Sequence, residues 1–306
     1  MNVGGTFSVS STFPPGGGLT TAAAPGDFDG DGDLDLVLSN GPDSTHAGLP
    51  TDADTLLVND GSGSFVADAA FSAAAWNDPS TASQHVVAGD IDNDGDLDLF
   101  FSTSGPTPGV ENRLLRNDGG FAFTDVTATQ LLPSPLTKSF EAAFLDVDAD
   151  GYLDLLIAGS GSSTPAPALY TNQGAGGPGV FAENVLDFPQ PAAFPPFQNV
   201  RIGIALGDVD ADGDVDVVHS VHHLPSGPPP ATSGESILLL NQAGAQGGTL
   251  GVFAADPTFN PFGDFVADDA ALGDTDGDGD LDLYIVNFGH FGGLSTADHY
   301  LRNDLP

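Results

Sequence analysis

Asp27-Phe28-Asp29-Gly30-Asp31-Gly32-Asp33-Leu34-Asp35 decides the fold, because the chain repeats this pattern five times. The other copies run Asp90 to Asp98, Asp146 to Asp154, Asp208 to Asp216 and Asp274 to Asp282, each reading D-x-D-x-D-G-x-x-D. Carboxylates at alternate positions, drawn round one ion by a tight turn, make an oxygen cage for a hard cation such as calcium. The motif glycine (Gly32, Gly95, Gly151, Gly213, Gly279) falls where the turn needs a backbone that a side chain would hinder. Position seven varies (Asp33, Asp96, Tyr152, Asp214, Asp280), which suits a ligand offered through its backbone carbonyl. Five calcium ions are expected. The alternative is a set of acidic surface turns that hold no ion.

The spacing shares its start with the EF-hand, which closes on a bidentate Glu at position twelve. Here position twelve is Leu38, Phe101, Ile157, His219 and Ile285. The last carboxylate comes instead at position nine, inside Leu34-Asp35-Leu36, Leu97-Asp98-Leu99 and Val215-Asp216-Val217. That is strand alternation, so each loop joins two β-strands.

The motifs start at 27, 90, 146, 208 and 274, steps of 63, 56, 62 and 66 residues. Each repeat predicts four strands: a small-residue strand before the loop, an apolar strand after it, a third ending in Asn59, Asn117, Asn172, Asn241 or Asn303, and a fourth bearing Phe65, Phe123, Phe181 or Phe253. Four strands per repeat is the grammar of a β-propeller blade. The expected fold is all-β: a single five-bladed propeller over residues 1–306, with blades near 19–71, 82–130, 139–188, 200–259 and 264–304. The fifth repeat lacks a fourth strand, and residues 4–13, with Phe7, are expected to supply it and close the ring, removing exposed sheet edges.

Only 5 Lys plus Arg face 43 acidic residues, a formal charge of −38. Of the acidic residues 39 are Asp, and 24 of those lie in the five motifs, so the acidity is mostly ligand inventory. Nucleic acid is excluded as a partner, since phosphate binding needs the cations this chain lacks. With no cysteine, disulfides and thiol chemistry are excluded too. No apolar run reaches membrane-spanning length, so no membrane insertion is expected. Met1-Asn2-Val3-Gly4-Gly5 has neither the basic start nor the apolar stretch of a signal peptide.

Repeats of this form, followed by a Gly-Phe turn and strand, resemble the FG-GAP/VCBS family, whose calcium-loop blades build integrin α-subunit propellers and some fungal lectins. The resemblance spans essentially the whole chain. It implies side-chain ligands Asp27, Asp29, Asp31 and Asp35 with Asp33 acting through its carbonyl. The corresponding sets are Asp90, Asp92, Asp94 and Asp98 with Asp96; Asp146, Asp148, Asp150 and Asp154 with Tyr152; Asp208, Asp210, Asp212 and Asp216 with Asp214; and Asp274, Asp276, Asp278 and Asp282 with Asp280. Integrin α-subunits carry seven such repeats and this chain five, which puts an integrin-like partner surface in doubt. Because such loops work where calcium is abundant, an extracellular or cell-surface protein is expected.

Long connections, Gly41 to Asp54, Ser72 to Ser83 and Leu224 to Glu235, are expected on the face opposite the loops. Trp76, His46, His222, His223 and His290 map there as candidates for a ligand face, Trp76 to stack a sugar ring and His222, His223 and His290 to take a transition metal. No G-x-S-x-G occurs, and the acids outside the motifs show no pairing in sequence. The expectation is therefore a non-catalytic adhesion or recognition module for a glycan or surface protein. The alternatives are a structural or self-assembling module and, third, a carbohydrate-active enzyme.

Overall fold

The computed structural model describes residues 19–41, 53–78, 83–103, 112–132, 139–159, 168–184, 201–222, 236–256, 258–259, 267–287 and 298–303. They form five sheets, one per repeat, antiparallel and ordered as their strands occur in the chain except for one added strand in the third. The first holds β1 (Thr20–Gly26), β2 (Asp35–Asn40), β3 (Thr55–Asn59) and β4 (Phe65–Ala67). The second holds β5 (Ser83–Gly89), β6 (Asp98–Thr103), β7 (Arg113–Asn117) and β8 (Phe123–Asp125). After it comes β9 (Leu131–Leu132), and then β10 (Ser139–Leu145), β11 (Asp154–Gly159), β12 (Ala168–Asn172) and β13 (Phe181–Glu183). The fourth holds β14 (Arg201–Gly207), β15 (Asp216–His222), β16 (Ile237–Asn241) and β17 (Phe253–Ala255); the fifth holds β18 (Ala267–Gly273), β19 (Asp282–Asn287) and β20 (His299–Leu301).

Register repeats from sheet to sheet. The residue ending each first strand faces the position-nine aspartate: Gly26 on Asp35, Gly89 on Asp98, Leu145 on Asp154, Gly207 on Asp216, Gly273 on Asp282. Four of the five first strands carry a register shift near their start; β14 has none.

The core lies between sheets, in four apolar clusters. Ala24, Val37 and Leu56 of the first sheet pack with Val86, Leu99 and Phe101 of the second. Phe100 and Leu114 turn the other way, onto Ala142, Leu155 and Ile157 of the third. Leu156 and Leu169 meet Ile204, Val217 and Leu239 of the fourth, whose Ala205 and Val218 meet Ala270, Leu283 and Ile285 of the fifth. Strands buried on both faces explain why β6 and β11 read as continuous apolar runs rather than clean alternation.

Phe123 crosses to the first sheet, edge-on to Phe28 at 6.2 Å between ring centroids. Phe181 shares a cluster with Ile91, and Phe253 with Val147, so each fourth-strand phenylalanine reaches the loop of the preceding sheet. One described strand has no counterpart in the sequence reading. β9 pairs parallel to β13, making the third sheet five-stranded, and its Leu131 is fully buried. Two residues gave too little pattern to read as a strand; burial of one leucine fixes it. The fifth sheet has three described strands. Residues 4–13, expected to complete it, lie outside the described residues. Among the described residues no helix is long and apolar enough to cross a membrane.

Candidate metal centres and the inner strands

Each loop turns on itself by the same bonds. The position-one aspartate accepts from the motif glycine's N–H: Gly32 to Asp27 at 2.9 Å, Gly95 to Asp90, Gly151 to Asp146 and Gly213 to Asp208 all at 3.0 Å, and Gly279 to Asp274 at 3.2 Å. The position-five carboxylate accepts from position seven, as Asp94 does from Asp96 N–H at 2.9 Å and Asp150 from Tyr152 N–H at 2.9 Å. The motif glycines have φ between +88° and +102°, a region side chains rarely enter. Position four is also left-handed, and there Asn93, Ala149 and Ala211 occupy it at φ of 59°, 55° and 57°. A side chain held there costs about 1 kcal/mol, strain of the sort stored around functional loops.

These turns gather carboxylates. Asp27, Asp29 and Asp31; Asp90, Asp92 and Asp94; Asp146, Asp148 and Asp154; Asp208, Asp210 and Asp216; and Asp274, Asp276 and Asp278 each place oxygens within 4.8 Å of one another. Two of these triads include the position-nine aspartate and three take position five. The donor set suits a hard cation, being oxygen throughout. Further, Asp92 Oδ1, Asp210 Oδ1 and both carboxylate oxygens of Asp214 are buried without a hydrogen-bond partner. A cation would satisfy them.

The position-nine aspartate has a second job that sequence reading missed. Its Oδ2 accepts from loop position two and its Oδ1 from the asparagine ending the third strand. Asp98 binds Ile91 N–H at 2.9 Å and Asn117 N–H at 2.7 Å; Asp154 binds Val147 N–H at 2.9 Å and Asn172 N–H at 2.8 Å. Burial pushes Asp98, Asp154 and Asp216 up to about 7. Asp282 moves the other way, to about 2, because the Thr275 hydroxyl and the Asn303 N–H donate to it.

The third-strand asparagines were also passed over. Asn117 Nδ2–H donates to Phe28 O at 2.9 Å, Asn172 to Ile91 O at 2.8 Å, Asn241 to Val147 O at 3.1 Å and Asn303 to Val209 O at 2.7 Å, each reaching the loop of the preceding sheet. The signal was present, since every third strand ends in Asn; its cross-sheet reach was not.

The expected ligand face is not assembled by the described residues. Trp76 stands edge-on to Phe71 at 5.0 Å and packs against the cluster between the first and second sheets. His222 ends β15, paired with Arg201. His46, His223 and His290 lie outside the described residues.

Elsewhere the fold joins acids that sequence left apart. Glu141 on β10 accepts from Ile204 N–H of β14 at 3.0 Å. Burial, then the charge of Asp269 on β18, pushes its carboxyl up to about 7. The two residues are 128 positions apart in the chain.

Residues 146–219 match the family model described as FG-GAP-like repeat. The all-β architecture is shared with propeller-type solved structures. A putative exo-β-1,3-galactanase from Bifidobacterium bifidum is 12% identical, with 86% of this chain and 80% of that one covered at a TM-score of 0.42. The GH43_1 enzyme from Xanthomonas citri, complexed with xylotriose, is 13% identical over 88% and 82%, TM-score 0.39. The biofilm matrix protein Bap1 of V. cholerae is 14% identical over 80% and 40%, TM-score 0.31. Comparison with curated proteins finds no match. The expectation of a non-catalytic module is corrected here. The similar structures include enzymes, and Glu141 and Asp269 both reach β14, at Ile204 and Gly203, so acids outside the motifs do come near one another.

Proposed function

We propose that this chain is a calcium-stabilised propeller-type scaffold whose five Asp loops each hold one ion. The observation that carries this reading is a carboxylate triad in all five repeats, always holding positions one and three and completed by position five or nine. Calcium would take Asp27, Asp29 and Asp31 in the first loop and their equivalents in the others, adding positive charge where like charges otherwise repel. It would draw Asp98, Asp154 and Asp216 into their ionised form while they still bridge loop to third strand. The concentration such loops require favours an extracellular setting. The test is metal content by mass spectrometry, with a thermal melt, in millimolar calcium and again in excess chelator. Five ions per chain is the expected result, and a metal-free chain with an unchanged melt would end the reading.

We further propose that residues 4–13 pair with β20 and bring Phe7 into an apolar cavity of about 230 Å³ lined by Val209, Leu272, Leu281, Leu283, Leu301 and Phe259. The register supports this: Asn59, Asn117, Asn172 and Asn241 pair with Phe65, Phe123, Phe181 and Phe253, leaving Asn303 to face Phe7. Deleting residues 1–13 is expected to lower the melting temperature, with restoration by the 1–13 peptide in trans; no change on deletion would exclude the pairing.

A second reading is that the scaffold acts on carbohydrate. Glu141, an acid set into an inner strand outside the metal loops, is the observation that favours it.

A further inference from the structure

Ala22, His85, Glu141, Gly203 and Asp269 occupy one rung of the array. Each lies four residues before the end of its first strand, paired with Ser39, Ser102, Ala158, Ser220 and Val286 respectively. In β5, β10 and β18 it directly follows the register shift, where a bulge re-aims a side chain. Two members are small and three titrate.

The three converge. The charge of Asp269 acts on both Glu141 and His85, although they stand on the fifth, third and second sheets. Glu141 is partly buried and anchored by Ile204 N–H, whereas Asp269 is exposed, its Oδ1 accepting from Ala270 N–H at 2.8 Å. Gly203 makes room for it: a Cβ there would stand 2.9 Å from Asp269 Oδ1 and 2.8 Å from its Cα. His85 Nδ1 is enclosed and has no hydrogen-bond partner. The trio does not gather ligand atoms within 4.8 Å as the loop aspartates do, so it fits a molecule between its groups better than one ion.

We propose that this rung is a hydrolytic site for glycosidic bonds, with Glu141 as general acid and Asp269 as general base on either side of β14. This rests on the carbohydrate reading and deepens it. The Glu141 carboxyl gives its proton to the leaving oxygen as the anomeric C–O bond breaks. Water forms the new bond to the anomeric carbon and yields a proton to Asp269, which solvent returns to Glu141. A hemiacetal and an alcohol leave, and no other reactant is needed. Phosphoryl transfer is disfavoured, because it calls for cations and the chain has 5 Lys plus Arg.

The test uses the full calcium-loaded chain with 4-nitrophenyl pentosides and hexosides, and the matching oligosaccharides, between pH 4 and 9. Wild type is expected to turn over at least one, with an alkaline limb near neutrality. Glu141→Gln should lose about a hundredfold or more in kcat on the oligosaccharide and less on the aryl glycoside, whose leaving group needs little protonation. Asp269→Asn should lose on both. Calcium content and melting temperature matching wild type keep these losses from being misfolding. Oligosaccharide binding by calorimetry separates the two levels. Binding without turnover, or turnover indifferent to Glu141→Gln, overturns the hydrolytic site and leaves the carbohydrate reading standing. Neither binding nor turnover overturns both.

Discussion

The third and fifth repeats share a motif but not a fate. In the third, Leu153 Cδ1 stands 2.8 Å from where a Cβ on Gly89 would be, so the loop's leucine sits on the preceding sheet. Leu97 sits likewise on Gly26, and Leu281 on Gly207. In the fifth, nothing lies within 4 Å of a Cβ on Gly273, and the leucine whose place corresponds, Leu34 of the first repeat, is 61% exposed. Tyr284, Val286 and Tyr300 of the fifth sheet are exposed as well. Loop position two is the buried Val147 in the third repeat and the exposed Thr275 in the fifth. The position-nine aspartates differ although both side chains are buried: Asp154 is pushed up to about 7 by burial, while Asp282 is held at about 2 by the groups donating to it, chiefly the Thr275 hydroxyl and the Asn303 N–H. A repeat of this kind is completed by its neighbour.

Calcium is the strongest lever on this contrast. If each loop binds roughly tenfold below ambient calcium, the five together contribute about 7 kcal/mol by mass action. Excess chelator should then lower the melting temperature steeply, and tryptophan fluorescence of Trp76 should report loosening between the first and second sheets.

Next in size is the aspartate bridge, compared in chelator so that metal does not enter. Asp154→Ala strands the N–H groups of Val147 and Asn172 and is expected to cost about 3 kcal/mol. Asp282→Ala, under thinner cover, should shift the urea midpoint much less. Equal shifts would mean cover does not matter.

Leu153→Ala should cost about 2 kcal/mol and Leu34→Ala under about 0.5 kcal/mol. A large loss at Leu34 would reveal that the first and fifth sheets meet in solution.

The smallest change concerns Asp54, pushed up to about 6 by burial. It accepts from Asn40 N–H at 2.7 Å and Ser83 Oγ–H at 2.8 Å. Its folded value lies above the unfolded one near 4, so the protonated form favours the fold and stability is lost as pH rises from about 4 through 6. In the second sheet a neutral residue does the equivalent work: Asn112 accepts from Thr103 N–H at 3.0 Å and donates to Ser139 Oγ at 2.8 Å. Asp54→Asn should therefore match wild type at pH 3.5 and exceed it by about 1–2 kcal/mol at pH 8, read by denaturant melts. Loss at both pH values would show that Ser83 needs a carboxylate.

Strand order and loop position could be read from sequence because the motif fixes a register every sixty or so residues, and the flanking strands alternate or run apolar as their burial demands. Phe123, Phe181 and Phe253 were readable as inter-sheet core for the same reason. What escaped depends on approach between repeats. The reach of Asn117 to Phe28 O spans 89 residues, and nothing local marks it. Glu141 and Asp269 look isolated until β14 comes against both of their strands. Asp98 reads as a ligand by spacing, yet half of its hydrogen bonding is to the third strand.

The cross-sheet asparagine bond gives the array a polarity. The second to fifth sheets each send one donor backward and the first to fourth each offer one carbonyl forward, so joining two sheets needs no residue beyond those every repeat already carries. A segment duplicated in frame would arrive with both halves of the contact in place. Lengthening such a chain by whole repeats is thus a change the interfaces tolerate, whereas inserting part of a repeat would leave a donor and an acceptor with nothing to meet.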